Sequence, residues 1–185
     1  ESLPESLLLW RSSTHYIGGL LVVDFLLLVI PEASPYRLKL TNMELSSLSK
    51  EGYRYSSSKV VWVITKVYLG LTVVTTVALW LSGMTVFDAI NHAFSIAATG
   101  GFSTRNLSVA YYDSDLIYFV CMVFMAVSAL HFGLIYATFV TRSLKPLNNV
   151  IVRYYFLSIL LMSLIITFSL MNDGDYDSFG KALLD

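Results

Sequence analysis

Charge is what this sequence has least of. Of its 185 residues only 12 are Lys or Arg and 13 are Asp or Glu, 14% in all, where a soluble domain carries about 25%. The formal net charge is -1 and no basic stripe runs along the chain, so the electrostatic footprint of a nucleic-acid binder is missing. Cysteine is single: Cys121 cannot close an internal disulfide and is silent on redox compartment. No His-x-x-x-His or Glu-adjacent zinc spacing occurs, nor any Gly-x-Ser-x-Gly elbow, which removes the usual signatures of a zinc hydrolase or a serine hydrolase. There is no initiator Met and no signal-peptide pattern. The chain opens Glu1-Ser2-Leu3-Pro4 and stops at Leu184-Asp185, which suggests a piece of a longer protein. What is plentiful is apolar surface: 56% of residues are hydrophobic and the mean hydropathy is +0.66, the composition of a membrane protein.

Four long apolar runs organise the chain. Leu7 to Ile30, interrupted by Arg11, His15 and Asp24, ends at Pro31 and Pro35. At about 1.5 Å per residue it is long enough to cross a bilayer with some tilt. Val60 to Leu81, broken only by Lys66, is a second span, and Ser56-Ser57-Ser58 can cap its start. Leu116 to Val140 is a third and Val150 to Leu170 a fourth. Ser178 to Leu184 looks like the opening of another short helix. The loop 31–59 carries Arg37, Lys39, Lys50, Arg54 and Lys59, and 141–149 carries Arg142 and Lys145. By contrast 82–115 holds only Arg105, and the tail 171–185 only Lys181. Basic residues favour the cytoplasm, so the first two loops are expected inside and the other two outside.

Between the second and third spans lies a stretch that is neither spanning helix nor charged loop. Thr85 stands three residues before Asp88, a capping signature. The helix it opens, Val86 to Ala98, covers about 20 Å, too short for a hydrocarbon core of roughly 30 Å. It runs into Thr99-Gly100-Gly101-Phe102-Ser103. A half-length apolar helix followed by glycines reads as a re-entrant loop, and irregular backbone at membrane depth is tolerated only where it lines a cavity or is buried in protein. The five residues follow the Thr-x-Gly-aromatic-small logic of potassium-channel filters, in which carbonyl oxygens replace an ion's hydration shell. The helix also points its partially negative C-terminal end at Thr99. The bland alternative is an ordinary Gly-Gly turn.

Span, half-helix, filter and span over 60–140 make an M1-P-M2 unit, and here the residues resemble a family. Asp88-Ala89-Ile90-Asn91-His92-Ala93-Phe94 with Ala98-Thr99-Gly100-Gly101-Phe102-Ser103-Thr104-Arg105-Asn106 resembles the second repeat of the TrkH/KtrB/HKT cation transporters. Leu3-Pro4-Glu5-Ser6-Leu7-Leu8-Leu9-Trp10-Arg11-Ser12, followed by Gly18-Gly19, is similar to the M2 helix of their first repeat. His131-Phe132 departs from the Asn-Phe pair common in the second M2. The resemblance implies an all-α membrane protein with potassium-channel-like repeats, of which this chain holds parts. Residues 1–30 would end repeat one, 31–59 form a cytoplasmic loop, 60–140 a complete repeat with its filter at 99–103, 141–149 a second cytoplasmic loop, and 150–185 the first helix of repeat three and the start of its pore helix. Four spanning helices are therefore expected. The resemblance further implies potassium uptake without enzymatic chemistry or cofactor, with potassium as the transported substrate. It implies a multi-pass protein of the plasma membrane, the inner membrane in a bacterium. The partners it implies are membrane lipid, the remaining repeats of the same chain, a second copy in a homodimer and a cytosolic nucleotide-binding regulatory subunit. One filter strand of four does not make a pore, so this chain alone is not expected to conduct.

Individual residues follow. Gly101 matches the glycine before the aromatic residue in each family filter, and Thr99 and Gly100 are expected to join it in offering carbonyls to potassium. Phe102 is expected to pack behind the strand, with Ser103 closing it. Asp24 and Lys66 fall at similar depth and are expected to pair as a structural charge pair rather than line an ion path. His92 and His131 read as packing histidines. Arg105 is expected to be neutralised by Asp113 or Asp115, and Arg11, near the outer edge, to fix helices by hydrogen bonds. Tyr111-Tyr112 reads as an interfacial belt, and Ala129 and Gly133 as a close helix contact. Two other readings compete: an intramembrane enzyme using His92, His131 and Asp24, and an assembly subunit whose Thr99–Ser103 stretch is a closed turn.

Overall fold

The computed structural model describes residues 3–29, 57–130 and 132–172, and every regular element among them is helical. In chain order these are α1 (Glu5–Val29), α2 (Ser57–Leu81), α3 (Val86–Ala97), α4 (Asp115–Ser128), α5 (Phe132–Thr141) and α6 (Val150–Asn172). Short 3-10 turns at Ser108–Tyr112 and Lys145–Leu147 join them. Most of the 31–59 loop and the tail beyond 172 lie outside the described residues. Among the described residues two helices are long and apolar enough to cross a membrane, at Val61–Leu81 and Val150–Ser169.

α2 is the post around which the rest is set, packing against α1, α3, α4 and α5. Ile64 and Leu79 on it are fully buried, while Val73, Val77 and Trp80 on its other faces are exposed. In a bilayer, lipid tails are as apolar as leucine, so helix association leans on close packing and on hydrogen bonds between helices. Both are visible where α1, α2 and α3 meet. Tyr16 stacks on Phe94 at 4.5 Å and on Tyr68 at 4.7 Å. The Tyr68 hydroxyl donates to the Tyr16 carbonyl at 3.0 Å, and Thr72 donates to the Tyr16 hydroxyl at 3.0 Å. A second cluster of Leu79, Met84, Ala89, Ile96, Ile117 and Cys121 joins α2, α3 and α4.

The third apolar run departs from expectation. Leu116 to Val140 is not one continuous helix: α4 stops at Ser128 and α5 starts at Phe132. The Leu130 N–H donates to Val127 rather than to the carbonyl four residues back, the tightening that closes a helix end. Hydropathy alone does not register such a break, because the residues on both sides are apolar. α6, the fourth run, is tied to α4 by the Tyr155 hydroxyl, which donates to the Ala126 carbonyl at 3.0 Å.

Candidate ion-coordinating segment

α3 starts as its sequence dictates. Thr85 is in extended backbone, φ -63 and ψ 154, and its side chain accepts from the Asp88 N–H. The helix is almost wholly inside the protein, with Ala89, Asn91, His92, Ala93 and Ser95 among its buried residues. It ends in two reversed hydrogen bonds. The Thr99 N–H donates to Ile96 at 3.1 Å and the Gly100 N–H to Ser95 at 2.7 Å, the paired bonds of a Schellman ending. The residue that this motif puts in the left-handed region is Thr99, at φ 52. Glycine usually fills that place, and a β-branched side chain there is strained, at a cost of about 1–3 kcal/mol.

Both glycines are required, for different reasons. Gly101 stands at φ +72 with open space around it, so its need is for backbone freedom. Gly100 needs room: a Cβ there would lie 2.5 Å from the His15 imidazole.

From Gly101 the chain runs back along α3 toward that helix's start. The Phe102 N–H donates to Ser95 Oγ at 2.6 Å. Ser103 Oγ meets His92 Nε2 at 3.0 Å, and Thr104 Oγ1 donates to Asp88 Oδ1 at 2.6 Å. Asp88, His92 and Ser95 lie on one helical face, so the pairings climb the helix as the strand descends it. Residues 85 and 104 thus lie at the same end of α3. Among the described residues no hydrogen bond ends on the carbonyls of Thr99, Gly100, Gly101 or Phe102, whereas the Ser103 carbonyl accepts from Arg11 Nη2 at 2.6 Å.

Arg105 differs from expectation. Its partner is Asp88, at 2.9 Å, and not Asp113 or Asp115. The returning strand delivers Arg105 to the first turn of α3, where the 2%-exposed Asp88 side chain already holds Thr104. The guanidinium also lies 4.5 Å from the Tyr111 ring centroid. The hydrogen bond to Asp88 raises the Arg105 pKa further above its ordinary value. Burial pushes the nearby Tyr112 hydroxyl up to about 12, with the Asp88 charge pushing the same way.

The other expected site residues divide. Thr99, Gly100, Gly101, Phe102 and Ser103 form one continuous strand. Phe102 is 40% exposed, with the His15 ring edge-on at 5.3 Å. His92 is buried and fastens Ser103 while its Nδ1 bonds the Asp88 carbonyl at 2.8 Å. Lys66 is exposed, its ammonium 5.7 Å from the Trp62 ring centroid. The expected pair with Asp24 rests on a side chain outside the described residues, as does His131. Ser95, Thr104 and His15 carried no expectation. The signal for Ser95 was present, since Asp88, His92 and Ser95 recur at helical spacing on a helix otherwise apolar. Between the strand and α4 lies a half-open pocket of about 420 Å³, bounded by His92, Thr99, Phe102, Cys121 and Met125 among others.

A short buried helix with a strand folded back along it, set beside two helices long and apolar enough to cross a membrane, is the architecture of a helical membrane protein. The TrkH cation transport protein family model matches residues 1–171, and the chain belongs to that family. It is 31% identical to the Trk system potassium uptake protein TrkH of Vibrio parahaemolyticus, over 99% of this chain and 39% of that protein. It is 34% identical to the Trk system potassium uptake protein TrkG of Escherichia coli, over 98% of this chain and 38% of that protein. The crystal structure of the potassium transporter TrkH from Vibrio parahaemolyticus superposes with a TM-score of 0.77 at 30% identity, over 99% of this chain and 36% of that one. The chain therefore spans under two fifths of the length of these relatives.

Proposed function

We propose that this chain supplies one of the selectivity-filter strands of a potassium uptake protein. In this reading α3 is a pore helix that enters the membrane halfway, and Thr99, Gly100 and Gly101 offer backbone carbonyls to a dehydrated potassium ion, which is the transported substrate. Phe102 and Ser103 complete the strand. The observation that carries the reading is the division of labour in its backbone. The N–H groups of Gly100 and Phe102 are tied back to Ser95, while the carbonyls from Thr99 to Phe102 are left without a partner among the described residues. Thr99, Gly101 and Phe102 are exposed, so these carbonyls are open to an incoming ion, and a row of free carbonyls is the chemistry that replaces an ion's water shell.

The names of the relatives support potassium as the cation, and the apolar helices support a multi-pass protein with four spans, α4 and α5 together forming the third. The bacterial sources of the relatives named above support the inner membrane. The family resemblance supports the remaining repeats of the same chain, a homodimeric second copy and a cytosolic nucleotide-binding regulatory subunit as partners. No observation among the described residues favours an intramembrane enzyme; of its three residues, His131 and the Asp24 side chain lie outside them.

The test is cation uptake by the full-length protein in a bacterium deficient in potassium uptake, with Gly101→Ser alongside. The substitution forces a side chain into left-handed backbone and turns the adjacent carbonyls. Uptake is expected to fall roughly tenfold or more, the effect of about 1.4 kcal/mol at the ion. Unchanged uptake and selectivity would remove Gly101 from the ion path.

A further inference from the structure

The strand 99–104 is fastened along one side by its own helix, through Ser95, His92 and Asp88. On another side it meets α1, which belongs to the preceding part of the chain. Two α1 residues four apart, and so on one face, reach it. The His15 ring fills the space above Gly100 and stands edge-on to Phe102. Arg11 lies with its guanidinium carbon 5.0 Å from the Phe102 ring centroid and donates from Nη2 to the Ser103 carbonyl at 2.6 Å. Ser103 is the one residue from 99 to 103 whose carbonyl takes a hydrogen bond among the described residues.

We propose that Arg11 is a positioning residue for ion selection: by holding the Ser103 carbonyl it ends the row of free carbonyls at Phe102 and fixes their spacing from a helix outside the repeat. This rests on reading Thr99–Ser103 as the ion-coordinating strand. The chemistry favours arginine in the role. A charge-assisted hydrogen bond is short and about twice as strong as a neutral one. A planar guanidinium can lie over a ring and donate in its own plane at once, which a lysine ammonium does less well. Without that bond the Ser103 carbonyl is free to turn, and Phe102 loses the cation that lies over its ring. The carbonyls before it then lose their fixed end, and discrimination between ions of different radius weakens.

The experiment uses the full-length protein in a bacterium deficient in potassium uptake. The potassium KM and the discrimination of potassium over sodium are measured per amount of protein in the membrane, for Arg11→Leu, Arg11→Gln, Arg11→Lys and Gly101→Ser. Arg11→Leu is expected to raise KM about tenfold, the low end for losing a charge-assisted hydrogen bond, and to lower discrimination by a similar factor. Arg11→Lys is expected to recover part of both, since it still donates. Variants that change only the amount of protein, with KM and discrimination intact, would overturn the proposal and leave Arg11 as a helix anchor. If Arg11→Leu does not reach the membrane, the Gln and Lys variants are judged by the same two quantities. Gly101→Ser separates the layers. If it too leaves KM and discrimination unchanged, the ion-coordinating reading itself falls. If it alone shifts them, only the role of Arg11 falls.

Discussion

α3 and α6 are both apolar helices, and they are built for opposite purposes. α6 runs 23 residues and turns Leu157, Leu160, Leu161, Ile165 and Phe168 outward. α3 runs only 12 residues, yet most of it is buried, and its polar side chains Asp88, His92 and Ser95 each bond the strand that follows. The difference is one of obligation. A helix whose side chains are almost all apolar satisfies its own backbone and asks little of any single side chain. A helix that must support a strand with unpaired carbonyls spends Asp88, His92 and Ser95 on holding that strand. Length and hydropathy identify the first kind of helix. The second shows itself as a short helix with a polar stripe.

Substitutions sharpen this contrast. The largest effect is expected at Asp88, whose carboxylate holds both Thr104 and Arg105. Asp88→Ala leaves a half-buried guanidinium without its counter-charge, and breaking such a pair by removing one partner costs about 3 kcal/mol or more. Thermal unfolding of the detergent-solubilised full-length protein would register it, together with loss of uptake. Gly100→Ala comes next. Its methyl group meets the His15 ring, and overpacking of this kind costs about 1–3 kcal/mol. The same two measurements apply, and combining it with His15→Ala should recover part of the loss by making room. Smallest is Leu160→Ala on α6, where the side chain is 58% exposed. Its effect on the same unfolding curve should stay within about 0.5 kcal/mol, as for surface sites generally. Equal sensitivity at Leu160 and Asp88 would break the comparison.

Much of this was readable in the residues and some was not. The cap at Thr85, the short helix, the left-handed place of Gly101 and the approximate bounds of α2 and α6 follow from local chemistry, which a sequence displays directly. The partner of Arg105 does not. Asp113 and Asp115 are nearer in sequence than Asp88, and only the return of the strand along α3 reverses the preference. His15 and Arg11 sit some ninety residues before the strand they touch, beyond any local pattern. Thr99 in a left-handed conformation contradicts its own preference, and only the fixed surroundings of the strand impose it. The interruption after Ser128 is hidden because apolar residues flank it on both sides.

The contact from Asp88 to Thr104 has one more consequence. It closes the sixteen-residue step between them into a hoop, with Ser95 and His92 as cross-braces. A hoop fixes its own circumference. One residue inserted or deleted between 88 and 104 would shift every rung of the brace at once, whereas the 3-10 turn just outside it has no buried residue of its own to misplace. Variation in length among descendants of this chain should therefore accumulate after Arg105 and stop abruptly before it.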